Sequence, residues 1–174
     1  MTAKACVRTL PSPLLMALPL AALLIAVPLL VHAHIGHGET GAFGAGWAHP
    51  LGGADHALAM IAVGLWAAVS GGRALWAMPA AFVVAMLAGA VGGAAGLPLP
   101  GVEPIILASV VVLGVATALA LRAPLAQVLP AIALFGLAHG AAHGAEGPAS
   151  GLLAYGAGFA AATVALHLAG LALG

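Results

Sequence analysis

Two short stretches hold most of the chemistry this chain can offer. The first is His49-Pro50-Leu51-Gly52-Gly53-Ala54-Asp55-His56, and the second is His139-Gly140-Ala141-Ala142-His143-Gly144-Ala145-Glu146. Imidazole nitrogen with carboxylate oxygen, and no thiolate, suits borderline divalent ions such as Ni2+, Co2+ or Zn2+. On a helix, His139, His143 and Glu146 fall within about 60° of one another, so adjacent turns can present them to one metal. This stripe is the sharper signal, because polar groups inside a membrane span are costly and face a bundle interior or a water-filled path. In the first stretch Pro50 fits the first helical position, where its missing N–H would be unpaired anyway. His49 then stands at the helix mouth, with Asp55 and His56 about 8–9 Å further in. His49 and His56 share a face two turns apart. A straight helix lets them serve neighbouring sites, not one ion.

Other polar residues admit two readings each. Asp55 is either a ligand or the acceptor that orients an imidazole. Glu103 either joins the same mouth or favours a helix N-terminus through the macrodipole. His167 is either a hydrogen-bonded contact between helices or a later, weaker station for an ion. His34 and His37 are an ion-collecting tail or only a polar start. Met60, one turn after His56, reads as core packing. Protons compete with metal for histidine near its reference pKa of ~6.5, so acid weakens binding.

The elements that must position these groups follow from composition. Of 174 residues, 64% are hydrophobic and only 5% charged, with four basic and four acidic side chains against eight histidines. Soluble domains carry ~25% charged residues, so the chain reads as an all-α, polytopic membrane helix bundle. It has no basic surface for nucleic acid. The single cysteine, Cys6, excludes an internal disulfide and thiolate metal sites. Lys4 and Arg8, the apolar run from Leu14 to Val31, and Val31-His32-Ala33 resemble a secretory signal with cleavage after Ala33. An uncleaved anchor helix is the alternative. Residues 1–33 are thus read as a signal peptide and 34–174 as one transmembrane domain, six hydrophobic segments in all.

A bilayer core of ~30 Å needs ~20 apolar residues per helix, which predicts five spans near 50–70, 74–95, 102–121, 126–147 and 149–173. The breaks are short, so consecutive helices are antiparallel neighbours. An exported His34 puts Arg73 and Arg122 both on the cytoplasmic side, as the positive-inside preference requires. Trp47, Trp66 and Trp76 fall near span ends as interfacial anchors. The first span then starts outside and the fourth ends outside, so the two polar stretches meet in one outer half. Small residues four apart (Gly89 and Gly93, Gly92 and Gly96, Gly140 and Gly144) allow helix backbones to approach closely. The third pair interleaves with the histidine stripe.

The first stretch, preceded by Phe43-Gly44-Ala45-Gly46-Trp47, resembles the opening motif of the HupE/UreJ family, and the second stretch resembles its second motif. The closing Leu166-His167-Leu168-Ala169-Gly170 is similar to that family too. The resemblance implies a nickel permease of a bacterial inner membrane, linked to hydrogenase or urease maturation, with His49, Asp55, His56, His139, His143 and Glu146 needed for transport. One departure is visible. The family's second motif commonly has Phe directly before its first His-Gly, whereas Ala138 stands here and Phe135 lies three residues earlier.

Three functions are compatible with these residues. The leading one is inward passage of a divalent ion, with no prosthetic group and with room for a homo-oligomer. His49 and Glu146 would collect the ion, His56, His139 and His143 would hold it partly dehydrated, and Asp55 would balance charge. No Gly-x-x-x-x-Gly-Lys-Ser/Thr segment offers ATP hydrolysis. The rivals are an intramembrane zinc-dependent hydrolase, in which three histidines and a carboxylate activate water, and a metal-sensing or delivery subunit.

Overall fold

The computed structural model describes residues 39–174, all helices and connections, with no strand among them. The expected leader, His34 and His37 lie outside the described residues. Six helices follow in order: α1 Glu39–Gly52, α2 Ala54–Ser70, α3 Ala74–Ala94, α4 Val102–Ala118, α5 Leu125–Ala145 and α6 Leu152–Leu173. Helices α3, α5 and α6 are each long and apolar enough to cross a membrane. The segments Gly41–Gly52 and Ala54–Ser70 pass that test together but bend by 83° at their break. Helix α4 is shorter, and its 17 residues span about 25 Å at 1.5 Å each. The apolar segments therefore stand where five spans were expected.

The first of them is built differently from the expectation. Pro50 does not open a helix; it lies inside α1, near its end and fully buried. Gly53 interrupts the ladder with extended backbone (φ −106°, ψ 117°) and caps α2. A Gly-Gly pair just after a proline can start a helix or break one. Here the helical run continues upstream to Glu39, so the same residues break it.

Glycine contacts set the packing. A Cβ at Gly136, Gly140 or Gly144 would overlap the carbonyls of Phe82, Met86 and Ala90 in turn. Both numbers climb by four, so α3 and α5 run parallel, backbone against backbone. Gly89 and Gly93 of α3 meet Leu137 and Ala141 of α5 in the same way. Gly92 and Gly96 play no such part, with at most one side-chain atom at 3.8 Å. Helices α2 and α6 are joined through Gly64 against His167 and Gly170 against Ile61, and α1 meets α6 through Gly46 and Gly158. Without a hydrophobic force between helices in lipid, such close approach supplies the dispersion contact that holds a bundle together.

Two polar ties complete the frame. Trp66 Nε1 donates to the Leu121 carbonyl at 2.7 Å, and the Thr117 hydroxyl lies 2.8 Å from the Leu113 carbonyl and 3.3 Å from that of Ala62. Trp66 is only 7% exposed, so it is not the interfacial anchor expected; Trp47 and Trp76 do remain exposed. The indole instead satisfies a carbonyl just beyond the end of α4, and it brings the Arg122 loop beside the end of α2 that leads to Arg73. Both arginines therefore lie at one end of the bundle. We expect Trp66→Phe to keep the fold but lose about 1 kcal/mol, read as a lower thermal midpoint of the protein in detergent.

Candidate metal centre

At the end of the bundle opposite the arginines, α1 and α5 finish and α2 begins. His49 lies in the last turn of α1, and His143 in the last turn of α5, with Glu146 capping that helix. Helix C-termini carry partial negative charge and unpaired carbonyls. Two of them converge here, and an exposed carboxylate is placed on one. Glu146 gains nothing from that dipole, but a cation between the two helix ends would gain from both.

The imidazoles stand in series. His49 and His143 have ring centroids 4.5 Å apart, His143 and His56 4.4 Å, and His56 and His139 5.1 Å. One ligand atom from each of His49, His143 and Glu146 lies within 4.8 Å of the others. The closest carboxylate approach in this group is Glu146 Oε2 to His143 Nδ1, 3.7 Å. The bend at Gly53 explains how His49 and His56 both reach His143. A straight helix would hold them two turns apart, but the chain turns a corner between them.

Asp55 and His139 each have a definite neighbour. Asp55 Oδ1 accepts the His56 backbone N–H at 3.0 Å and lies 3.0 Å from His56 Nδ1. The latter contact is not aligned as a hydrogen bond, since His56 Nδ1 remains unpaired. Asp55 thus stands beside His56 and outside the group formed by His49, His143 and Glu146. His139 Nδ1 lies 2.8 Å from the Phe135 carbonyl. That contact requires the proton on Nδ1 and leaves Nε2 buried with no partner. Both nitrogens of His143 are likewise buried and without hydrogen bonds. Buried nitrogens are almost always paired in folded proteins, so this set of open lone pairs fits a cation as the missing partner.

The secondary candidates separate. Glu103 is exposed in the first turn of α4 and is not among the three groups whose ligand atoms meet. His167 lies elsewhere in the bundle, 1% exposed, and neither ring nitrogen has a hydrogen-bond partner. Its reading as a hydrogen-bonded helix contact is therefore set aside.

Three aromatic residues at the centre escaped the sequence reading. Tyr155 and Phe159 of α6 stand 5.9 Å and 6.0 Å from the His49 ring, and Phe159 is 4.8 Å from His143. Phe82 of α3 is 5.5 Å from His139. Aromatic side chains in apolar spans look like ordinary packing. Their scarcity was the usable signal, because the chain has only four Phe and one Tyr, and three of those five rings stand against histidine rings.

Comparison with known proteins shows the family of the chain. The family described as HupE / UreJ protein matches residues 20–174, which includes every element above. The chain belongs to the HupE/UreJ family. Protein HupE of Rhizobium leguminosarum bv. viciae is 44% identical over 150 residues, covering 86% of this chain and 78% of that protein. No solved structure matches the chain.

Proposed function

We propose that this chain is a permease for a divalent transition-metal ion, foremost Ni2+, and not an enzyme. The observation that carries this reading is the meeting of His49, His143 and Glu146 between two helix C-termini. Those three collect the ion at the mouth. His56 and His139 follow in series, and Asp55 balances charge beside His56. Mixed nitrogen and oxygen ligation binds such ions without the grip of thiolates, and conduction needs an ion that can leave.

Nickel in particular, and the link to hydrogenase or urease maturation, rest on membership of the HupE/UreJ family and on likeness to a protein named HupE. The arginines at the opposite end, read with the positive-inside preference, support a centre that faces outward from a bacterial inner membrane. Cleavage after Ala33 would leave His34 and His37 on that same outer side, ahead of the mouth. The hydrolase reading would use the same two histidines and one glutamate, but it leaves the further imidazoles of His56 and His139 without a part.

The test is metal accumulation in cells expressing the full chain, with Ni2+, Co2+ and Zn2+ supplied separately. Wild type should raise cellular nickel above the empty vector. Glu146→Gln, which keeps the size and removes the charge, should cut that gain by about tenfold. Equal accumulation with and without the chain, for all three metals, would end the permease reading.

A further inference from the structure

Beyond the four imidazoles of the outer centre, the bundle buries a fifth at greater depth. His167 sits on α6 with its carbonyl against Gly64 of α2. Gly64 is eight residues past His56 on the same helix, or about 12 Å further from the mouth. The side chain is 1% exposed and both ring nitrogens are unpartnered. No aspartate, glutamate or hydroxyl is hydrogen-bonded to it, and an unpaired imidazole at such depth is kept only at a cost to the fold.

One residue connects it to the rest. Phe82, fully buried, contacts His139 at 5.5 Å and His167 at 5.2 Å, the second contact edge-on at 88°. Among the described residues it is the one aromatic ring that touches both. One turn along each helix, the Thr163 hydroxyl of α6 lies 3.5 Å from the Met86 sulfur of α3. That hydroxyl also donates to the Phe159 carbonyl at 2.9 Å, so one helical turn from His167 and Phe82 an oxygen and a thioether interrupt an otherwise apolar core.

We propose that His167 is a second, inner cation-binding station, separated from the outer histidines by the Phe82 ring. It takes a borderline divalent ion through a ring nitrogen, with water or the Thr163 oxygen filling other positions. Phe82 then acts as an apolar partition, so that an ion leaves His139 only as the ring turns aside, and His167 receives it. This inference rests on the permease reading but concerns a different residue, and its failure can be told apart.

The experiment uses the full chain in liposomes with a trapped metal indicator and external Zn2+, beside equilibrium Zn2+ binding in nanodiscs. His167→Cys and His167→Ser differ in one atom, and only cysteine is a strong zinc ligand. Cysteine should retain zinc influx, serine should lose about tenfold, and both should bind zinc at the outer centre as wild type does. Equal influx for the two variants, high or low, would overturn the inner station. A reading on unaltered protein guards against misfolded variants: with excess Zn2+, the imidazole 15N signals should show four shifted histidines among those in the bundle if His167 stays out, and five if it binds. A count that leaves His167 unshifted also overturns the proposal. Loss of zinc binding in His143→Ala reports on the outer centre alone, so that result fails or holds independently of His167.

Discussion

Replacing His143 with alanine should abolish metal binding and uptake together. This residue touches His49, His56, Phe159 and the Glu146 carboxylate, so it joins the imidazole of α1, the imidazole of α2 and the carboxylate in one group. Even residues that only orient a metal ligand are worth 10–100-fold in affinity, so a loss beyond about 100-fold is expected for this one. The substitution also leaves a cavity, and core truncations cost about 2–5 kcal/mol. His143→Gln therefore belongs beside it, because it keeps most of the volume. Isothermal titration with Ni2+ on both variants, with a thermal scan of each, separates the two effects. A glutamine variant that is as stable as wild type and still binds nickel normally would remove His143 from the centre.

The second large effect concerns no polar atom. A Cβ at Gly140 would run into the carbonyl of Met86 and lie 2.8 Å from the Ala90 nitrogen. Those obstacles are backbone, so no side chain can swing away, and α3 and α5 must part. We expect Gly140→Ala to cost more than the usual overpacking range of about 1–3 kcal/mol, and Gly140→Val to prevent assembly of a folded chain. Gly114→Ala is the control, since nothing lies within 4 Å of its added carbon; it should be harmless. Yield and monodispersity in detergent decide the comparison. A Gly140→Val protein that purifies like the Gly114 variant would contradict the packing described here.

The sequence made some of this legible and hid the rest for definite reasons. The apolar runs and their breaks located the helices, because a bilayer demands lengths that few other structures need. Periodicity put His143 and Glu146 on one face, and counting crossings brought them to residues 49–56, but it did not show that His49, and not His139, completes the group whose ligand atoms meet. The bend at Gly53 was not legible. Pro50 and Gly53 have the same identity whether they open a helix or interrupt one, and only packing of α1 on α6 through Gly46 and Gly158 decides. Trp66 was read as an anchor for the same kind of reason: its place near a helix end is visible in sequence, but its partner Leu121 is 55 residues away. Among the glycine pairs, spacing could not distinguish Gly89 and Gly93, which carry a contact, from Gly92 and Gly96, which do not.

The interlocked glycines of α3 and α5 also limit how this molecule can move. Sliding either helix by a single residue would drive Leu137 or Ala141 side chains into carbonyls that now face bare α-carbons, so the two behave as one stiff plank. Rocking of half the bundle against the other half would have to run along some different seam. The elbow at Gly53 breaks the helical hydrogen-bond ladder, but α1 and α2 are each seated on α6 by glycine-to-carbonyl contacts of the same kind, so the angle between them is held as firmly as the plank. The spacing of His49 from His56 is thus built into the frame, and discrimination among ions falls to the donor atoms themselves.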